Sequence, residues 1–359
     1  MLAPRIISSL HRPFHRPLWM VKLFCRFLVK TSVISRRKED LNIEFYFFLL
    51  DYLHHNYPNN SDGVPSKLAV DSVYSYFSAY NKTSRVSMLK QTLTKQRDFE
   101  IEKQIYSTYK ASSYYVNLAI DKLHFVDKDW NILGWDIIKL QKARVSSVIN
   151  NADRRLYLRQ ILEYDIHFFL SQCLLCKYAR RYSLDEESLV YEFVDRFYTN
   201  VKFDFTHSSH SNYYIVRRGW IEDLKALTRS NGLSSLILAC IKDNEQFNEI
   251  YLDILSNITQ FKSEIIKKGK LQAKKKLFLK AYNVIQKNQP DVNDYVNLYD
   301  ICGYMKMSYK SFSDFLFWFY EEERMRLSIF FINIVSTIDQ RKRFYIRNTP
   351  VLKIKIMKI

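Results

Sequence analysis

Apolar residues recur along most of the chain at spacings of three and four, which places them on one face of a helix. Such stripes predict a helix at residues 41–55, a helix capped by Ser66, and a longer helical region over residues 84–106. Val116, Ala119, Ile120 and Leu123 form a further stripe, which predicts a helix over residues 112–123. The pattern therefore favours a mainly α fold.

Two short apolar runs follow this last helix, His124–Val126 and Trp130–Leu133, with a polar tip at residues 127–129 between them. Short apolar runs around a polar tip predict a β-hairpin. The order over this part of the chain is then helix, short turn, helix and hairpin.

Residues 137–270 are predicted to form a helical middle region. It contains a long amphipathic run at residues 154–182, then Ser183 as the expected cap of the next helix. Helices are also expected at residues 220–228, 234–242 and 244–260, and residues 262–276 are read as a linker or a solvated helix.

The same order returns near the C-terminus. After the helical pattern at residues 277–288, a short strand is predicted at 295–298, followed by helices at 299–306 and 309–323. The second helix carries an apolar stripe of Phe312, Phe315, Leu316 and Phe319. Two β-prone runs then surround a basic segment at residues 339–343, which predicts a hairpin with a positively charged tip.

This order resembles that of winged-helix domains, loosely over residues 41–136 and more closely over residues 277–359. The fold class expected is mainly α with small β-hairpins, with winged-helix-like units at both ends of a helical middle region. The expected domains are a flexible basic leader or arm at 1–40, then 41–136, 137–270 and 277–359. The resemblance implies that the second helix of each pair lies in a major groove and that the wing touches the backbone.

Composition narrows the class of protein. Gly (6) and Pro (7) are scarce in 359 residues, and no G-x-G-x-x-G or Walker-type phosphate loop occurs, so a Rossmann or P-loop enzyme is not expected. The five cysteines are an odd number, which favours a reducing compartment over a disulfide framework. Apolar runs such as residues 45–50 and 327–335 are far shorter than the roughly 20 residues of a membrane span.

The charge balance points to a polyanionic partner. The chain carries 55 Lys and Arg against 37 Asp and Glu, a net charge of +18. Lysines and arginines bind nucleic-acid phosphates by releasing condensed counterions. Residues 1–38 contain basic residues and no carboxylate, which is typical of a mitochondrial presequence, of a nucleic-acid-binding arm, or of sequence upstream of a true start at Met20.

Candidate contacts lie in both winged-helix-like units. In the first unit they are polar residues on the helix face opposite the apolar stripe, Ser113, Tyr114 and Asn117, which could read base edges. Lys110 lies just upstream and could anchor a phosphate. In the second unit they are Lys310 and the predicted wing, namely Arg341, Lys342, Arg343 and Arg347. The helix Tyr309–Glu323 ends in three glutamates and is apolar on more than one side, so it is expected to pack against a protein partner or a second copy.

Two chemical sites are weaker alternatives. Cys173 and Cys176 with His207 and His210 have the residue types of a zinc site, although the histidine spacing is tight and the cysteines suit a buried helix. Acidic residues at 185–187 and 223 are better explained as helix-end charges than as a metal-dependent nuclease. No cofactor and no bound metal are predicted.

The sequence therefore favours a non-enzymatic protein that binds duplex DNA, as a transcriptional regulator or as a replication or mobile-element accessory factor. It would be cytoplasmic or nucleoid-associated. One alternative is an organellar RNA-associated protein whose aromatics stack on bases, mitochondrial if residues 1–38 are a presequence. The other is an assembly factor whose winged helices bind proteins.

Overall fold

The computed structural model describes residues 17–31, 37–59, 64–142, 148–198, 207–288, 293–333 and 342–358. These residues are mostly helical and include a small antiparallel sheet of four strands, which confirms a mainly α class with limited β structure. The chain divides into two compact units. The first comprises Met1–Lys177 and Glu186–Thr259, and the second comprises Tyr178–Asp185 and Gln260–Ile359.

Among the described residues, eleven α-helices precede the first strand, and all four strands lie in the last part of the chain. The helices before the first strand are α1 Trp19–Thr31, α2 Lys38–His55, α3 Lys67–Ser78, α4 Lys82–Thr94, α5 Glu100–Asn117, α6 Ile137–Lys142, α7 Asn151–Tyr182, α8 Glu186–Phe197, α9 His207–Asp223, α10 Ser235–Lys242 and α11 Glu245–Asn288. The remaining elements are β1 Val296–Asn297, α12 Leu298–Tyr304, α13 Tyr309–Glu323, β2 Leu327–Asn333, β3 Phe344–Ile346 and β4 Thr349–Lys358.

The first unit is built around α5, which packs against α1, α2, α3 and α4. The single helical region predicted at residues 84–106 is wrong, because the chain leaves the helix after Thr94 and re-enters it at Glu100. The Glu102 carboxylate accepts the backbone N–H groups of Asp98 and Phe99 at 3.1 and 3.3 Å, which satisfies donors at this new helix start. The helix predicted at 112–123 is the end of α5 and the five-residue π-helical turn Leu118–Lys122 that follows it.

The predicted N-terminal leader is partly structured. The flexible arm expected at residues 1–40 is wrong for Trp19–Thr31, which forms α1 with its apolar side chains buried. The Lys22 ammonium lies 2.8 Å from the Asp153 carboxylate, and the Tyr157 hydroxyl donates to the Leu18 carbonyl at 2.6 Å. Residues 1–16 and 32–36 lie outside the described residues.

The predicted hairpin at residues 124–133 differs from two paired strands. Its only ladder contact among the described residues is an isolated bridge between Val126 and Ile132. The turn is held by the Asp127 carboxylate, which accepts the backbone N–H groups of Asp129 and Asn131 at 2.9 and 2.8 Å. Backbone bonds complete the turn, from the Asp127 N–H to the Asn131 carbonyl at 3.0 Å and from the Leu133 N–H to the Phe125 carbonyl at 2.8 Å.

Two boundaries in the middle region differ from prediction, and one open alternative is decided. Ser183 does not cap α8, because its φ of 52° and the bond from the Leu184 N–H to the Ala179 carbonyl at 2.9 Å make it the left-handed residue that closes α7. The helix predicted at 220–228 ends at Asp223 and is followed by a turn closed by a bridge between Leu227 and Leu233. Residues 262–276 are helical, as part of α11.

Helix α7 contains a kink with a buried ion pair. Asp165 has non-helical dihedral angles (φ −143°, ψ 23°), and its carboxylate accepts two bonds from the Arg217 guanidinium at 2.5 and 2.9 Å. Both side chains are almost fully buried, and the guanidinium lies 4.0 Å from the Phe168 ring centroid. Burial raises the pKa of the Asp165 carboxyl, while the charge of Arg217 acts in the opposite direction.

The second unit has its own core between helices and sheet. The buried stripe of α13 is the one predicted, and the bounds of that helix are confirmed. The core residues come from α11, α12, α13 and the sheet, and include Phe278, Tyr282, Leu298, Ile301, Phe312, Phe315, Phe319, Phe344, Val351 and Ile354.

Strand β4 organises the sheet of the second unit. It pairs antiparallel with β1, with β2 over seven residue pairs, and with β3. The second β-prone run is therefore two strands, β3 and β4, joined by a tight turn at Arg347 and Asn348. The basic tip predicted at residues 339–343 falls largely on residues 334–341, which lie outside the described residues.

Candidate nucleic-acid interface

The turn between α12 and α13 is closed by backbone bonds. The Met307 N–H donates to the Cys302 carbonyl at 3.3 Å and the Lys306 N–H donates to the Gly303 carbonyl at 3.1 Å, while Lys306 has a φ of 50°. This is the Schellman arrangement that ends helices at a left-handed residue. Ser308 then caps α13 by accepting the Ser311 N–H at 3.3 Å. Two adjacent helix-end signals thus explain why two helices lie so close in sequence.

An aromatic cluster joins the beginnings of α12, α13 and β3. The Tyr299 ring centroid lies 5.8 Å from Tyr309 and 4.7 Å from Phe344, and Phe344 lies 4.9 Å from Phe312. The Tyr299 hydroxyl donates to the Lys342 carbonyl at 2.9 Å. Burial raises the pKa of Tyr299, and the nearby charge of Arg343 opposes this shift. The cluster therefore holds the chain at Lys342 and Phe344 against both helices.

Three exposed lysines adjoin this cluster. Lys306 lies in the turn, Lys310 follows Tyr309, and Lys342 follows the undescribed segment and binds Tyr299 through its carbonyl. Within the residues the structure describes, none of the three makes an ion pair. We call Lys306, Lys310 and Lys342 the lysine triad. Only Lys342 is tied to the aromatic cluster, through its carbonyl, and the side chains of all three lysines are exposed.

The acidic end of α13 is partly neutralised within the second unit. Buried Glu323 bonds to Lys275, and Glu321 pairs with Arg324 and with Arg347, each at 3.2 Å. Two of the three glutamates at the end of α13 are therefore paired with basic side chains of the same unit. The basic and acidic ends of α13 are well separated.

The predicted wing residues do not form one compact group. Lys342 is exposed and Arg343 is half-buried, whereas Arg347 lies at the far end of β3 and is paired with Glu321. The sequence placed Arg347 just after the tip within one β-prone run and did not predict the turn at Arg347 and Asn348 that divides this run into β3 and β4. Arg341 lies outside the described residues.

The candidates predicted in the first unit are half-buried. The Ser113 hydroxyl donates to the Lys110 carbonyl at 2.9 Å, and the Lys110 ammonium lies 5.6 Å from the Tyr106 ring centroid. Tyr114 and Asn117 are also only partly exposed. Because α5 packs against four helices, the face that the sequence presents as solvated has little free surface.

Sequence reasoning missed Lys306 and the role of Tyr299. Lys306 was assigned to a helix end, where a basic residue is unremarkable. One local signal could have identified Lys306. Ser308 is a helix N-cap, so α12 has to end and the chain has to turn in the residues just before it, Lys306 and Met307. Tyr299 carried no signal, because its partner Phe344 lies 45 residues away along the chain.

The residues weighed for metal or nuclease chemistry are placed in helices. Cys173 and Cys176 are buried within α7, and burial raises the pKa of the Cys173 thiol. The side chains of His207 and His210 lie outside the described residues. Among the residues that are described, no group of three His, Cys, Asp or Glu side chains could hold a metal ion. Glu186 pairs with Arg218 at 2.7 Å, as expected of a helix-end charge.

A cleft of about 530 Å³ in the first unit has balanced charges. Arg155 and Arg159 approach the Asp243 carboxylate at 2.9 and 3.3 Å, and Cys240 lies in the wall with its pKa raised by burial. The arginines are paired with Asp243, and the raised pKa of Cys240 favours its unreactive protonated thiol. These groups give the cleft no evident nucleophile. It therefore adds no argument for an enzyme.

Comparison with known proteins finds no family model, no curated protein and no solved structure that matches the chain. In the part of the chain that the structure describes, none of the helices has the length and hydropathy that a bilayer crossing requires.

Proposed function

We propose that the protein is a non-enzymatic DNA-binding protein and that its second unit carries the DNA interface. The observation that carries the proposal is the lysine triad: Lys306 lies in the turn before α13, Lys310 lies in the first turn of α13, and Lys342 is bonded through its carbonyl to Tyr299. All three side chains are exposed, and none makes an ion pair with a described residue. A role in transcription regulation, or in replication or mobile-element maintenance, would follow from such binding.

The arrangement of elements supports a winged-helix interpretation of this unit. A strand, two helices joined by a tight turn and antiparallel strands follow one another, and β1 and β2 both pair with β4. In the helix-turn-helix mode of binding, residues near the start of the second helix face the groove while flanking segments contact the backbone. Tyr309, Lys310 and Ser311 are exposed at that position of α13.

The electrostatics of α13 also favour this mode. The positive end of the helix dipole coincides with Lys310, and both attract phosphate. Two of the three glutamates at the other end are paired with Lys275, Arg324 and Arg347. A duplex approaching the start of α13 would therefore meet positive charge.

The test removes the lysine triad with Lys306→Gly, Lys310→Ala and Lys342→Ala in one variant. Glycine is chosen at 306 because the φ of 50° suits it. Binding to several unrelated duplexes is measured by fluorescence anisotropy over a series of salt concentrations. We expect weaker binding to every duplex and a slope of log K against log salt that is flatter by roughly 0.9 per lost contact.

A matched control removes the same charge elsewhere in the second unit. Lys276→Ala, Lys280→Ala and Lys287→Ala take three exposed lysines from α11 and should change the slope much less. Equal losses in both variants would show that net charge alone drives binding. If the wild-type chain binds no duplex at low salt, the proposal is wrong.

A protein-assembly function is the second candidate. It is favoured by Phe317, which is 42% exposed on α13 although it lies in the middle of the helix. Aromatic residues are enriched at protein–protein interfaces relative to the rest of the surface. Co-purification of a stoichiometric protein partner, lost on Phe317→Ala and retained without the lysine triad, would favour this function. The RNA-associated alternative predicts stronger binding to single strands than to duplexes in the same assay.

A further inference from the structure

The sheet of the second unit ends in an unpaired strand. β2 pairs with β4 along one edge, and no strand pairs with its other edge among the described residues. A free edge presents backbone N–H and C=O groups that can pair with another strand. Natural proteins usually protect such an edge with charges, proline or a bulge.

β2 lacks that protection over most of its length. Its sequence, Leu-Ser-Ile-Phe-Phe-Ile-Asn, contains no charge and no proline, in a chain of which 26% is charged. Its one irregularity against β4 lies at the far end, between Ile332 and Asn333. The protein as a whole has a net charge of +18, but β2 itself carries no charge. A second positively charged molecule can therefore approach this strand with little local repulsion.

The apolar side chains of β2 are also less buried than those of β4. The inward side chains of β4, Val351 and Ile354, are buried, whereas those of β2, Leu327, Ile329 and Phe331, are only partly buried. On the outer face, Phe330 and Ile332 are 47% and 39% exposed. Addition of one more strand would therefore cover apolar side chains on both faces.

We propose that β2 pairs antiparallel with β2 of a second copy of this chain, about a twofold axis at Phe330. That register opposes Phe330 with itself, Ser328 with Ile332, Ile329 with Phe331 and Leu327 with Asn333. Every pair keeps both members on the same face of the sheet, because the two positions differ by an even number. The resulting eight-stranded sheet has the two β2 strands at its centre.

Charge favours a second copy over an acidic peptide as the occupant. The nearest lysines on this face, Lys353 and Lys355, lie on β4, and Lys355 already contacts the Asn293 carbonyl and Asp294. In the dimer, β4 and its counterpart are three strand spacings apart, roughly 14 Å. That exceeds the Debye length of about 8 Å at physiological salt, so the lysines repel one another weakly. An acidic peptide paired with β2 would find no cation on that strand.

The first experiment measures mass in solution. The full chain, freed of nucleic acid by high salt, is studied by sedimentation equilibrium from about 1 to 100 µM, where we expect a dimer of twice the 43.2 kDa monomer. Phe330→Glu places two carboxylates against each other across the axis and should give a monomer. Because Phe330 is opposite Lys355 within the chain, the new carboxylate gains a partner there and the fold should persist.

The control is Met357→Glu, which puts the same charge on the same face but on β4. Met357 is 48% exposed and is not on the free edge, so this variant should remain dimeric. A wild-type chain that is monomeric at 100 µM overturns the proposal. So does dissociation by both substitutions, because the contact would then involve the face and not the edge.

The second experiment tests the register directly. Directly opposed residues in an antiparallel pair have Cα atoms about 4.5–5.5 Å apart, within the range of a disulfide. The five native cysteines are buried, so Phe330→Cys introduces an exposed thiol that should cross-link two chains on mild oxidation. Met357→Cys should not. A dimer that forms with no cross-link at position 330 overturns the register and the twofold axis.

Discussion

At the scale of single residues, the buried pair of Asp165 and Arg217 is the most demanding feature of the first unit. Its charges are taken out of water at a kink where the helix bonds are already interrupted. A bidentate contact and the ring of Phe168 offset that cost. Removal of one partner leaves the other as an unpaired buried charge, which is far more costly than removal of both.

We therefore expect Asp165→Asn to destabilise the first unit by about 3–5 kcal/mol. The double variant Asp165→Asn with Arg217→Met should be less destabilised than the sum of the single variants. The measurement is urea denaturation followed by circular dichroism, analysed as a double-mutant cycle. Additive effects of the two substitutions would contradict the coupling seen in the geometry.

At the scale of elements, two helical glycines have opposite roles. Gly269 in α11 is buried, and a Cβ placed on it would lie 2.6–2.8 Å from atoms of Tyr182. A Cβ placed on Gly303 in α12 would have no heavy atom within 4 Å, apart from its own neighbours along the helix. The first glycine permits a close approach of helices, and the second has no packing reason to be glycine.

Replacement of each by alanine should therefore have opposite signs. Gly303→Ala should stabilise the second unit by about 0.5–1 kcal/mol, the usual gain from a better helix former. Gly269→Ala should destabilise it by about 1–3 kcal/mol, because Tyr182 must move. Thermal denaturation of the two variants beside wild type provides the comparison, and stabilisation by Gly269→Ala would show that the contact with Tyr182 is not needed.

At the scale of the whole molecule, the cysteines report on the integrity of both units. All five are buried, four in the first unit and Cys302 in the second. Burial raises the pKa of the thiols of Cys25, Cys173, Cys240 and Cys302, so the reactive thiolate is disfavoured.

We expect the native protein to react very slowly with a thiol reagent at pH 8, and five thiols to react after denaturation. An ordinary exposed thiol has a pKa near 8.5 and would react quickly under the same conditions. The Met357→Cys variant provides that exposed thiol within the same chain. Fast modification of any native cysteine in the wild type would contradict the packing around it.

The amino-acid sequence by itself determined the mainly helical class, the bounds of α13 and its buried stripe, and the cap at Ser66. These features depend on periodicity and on bonds between residues three or four apart, which a linear pattern records. It also showed the excess of positive charge, although charge alone does not select a partner.

Only the tertiary structure decided which polar residues are available. Lys110, Ser113, Tyr114 and Asn117 look solvated in sequence, yet α5 is surrounded by four helices. Arg347 was predicted to bind nucleic acid together with Lys342, but its guanidinium forms an ion pair with Glu321. The lysine triad depends on contacts between Tyr299 and the segment at Lys342, and the free edge of β2 depends on which strands pair with β4. Such contacts join residues far apart along the chain, and no local period encodes them.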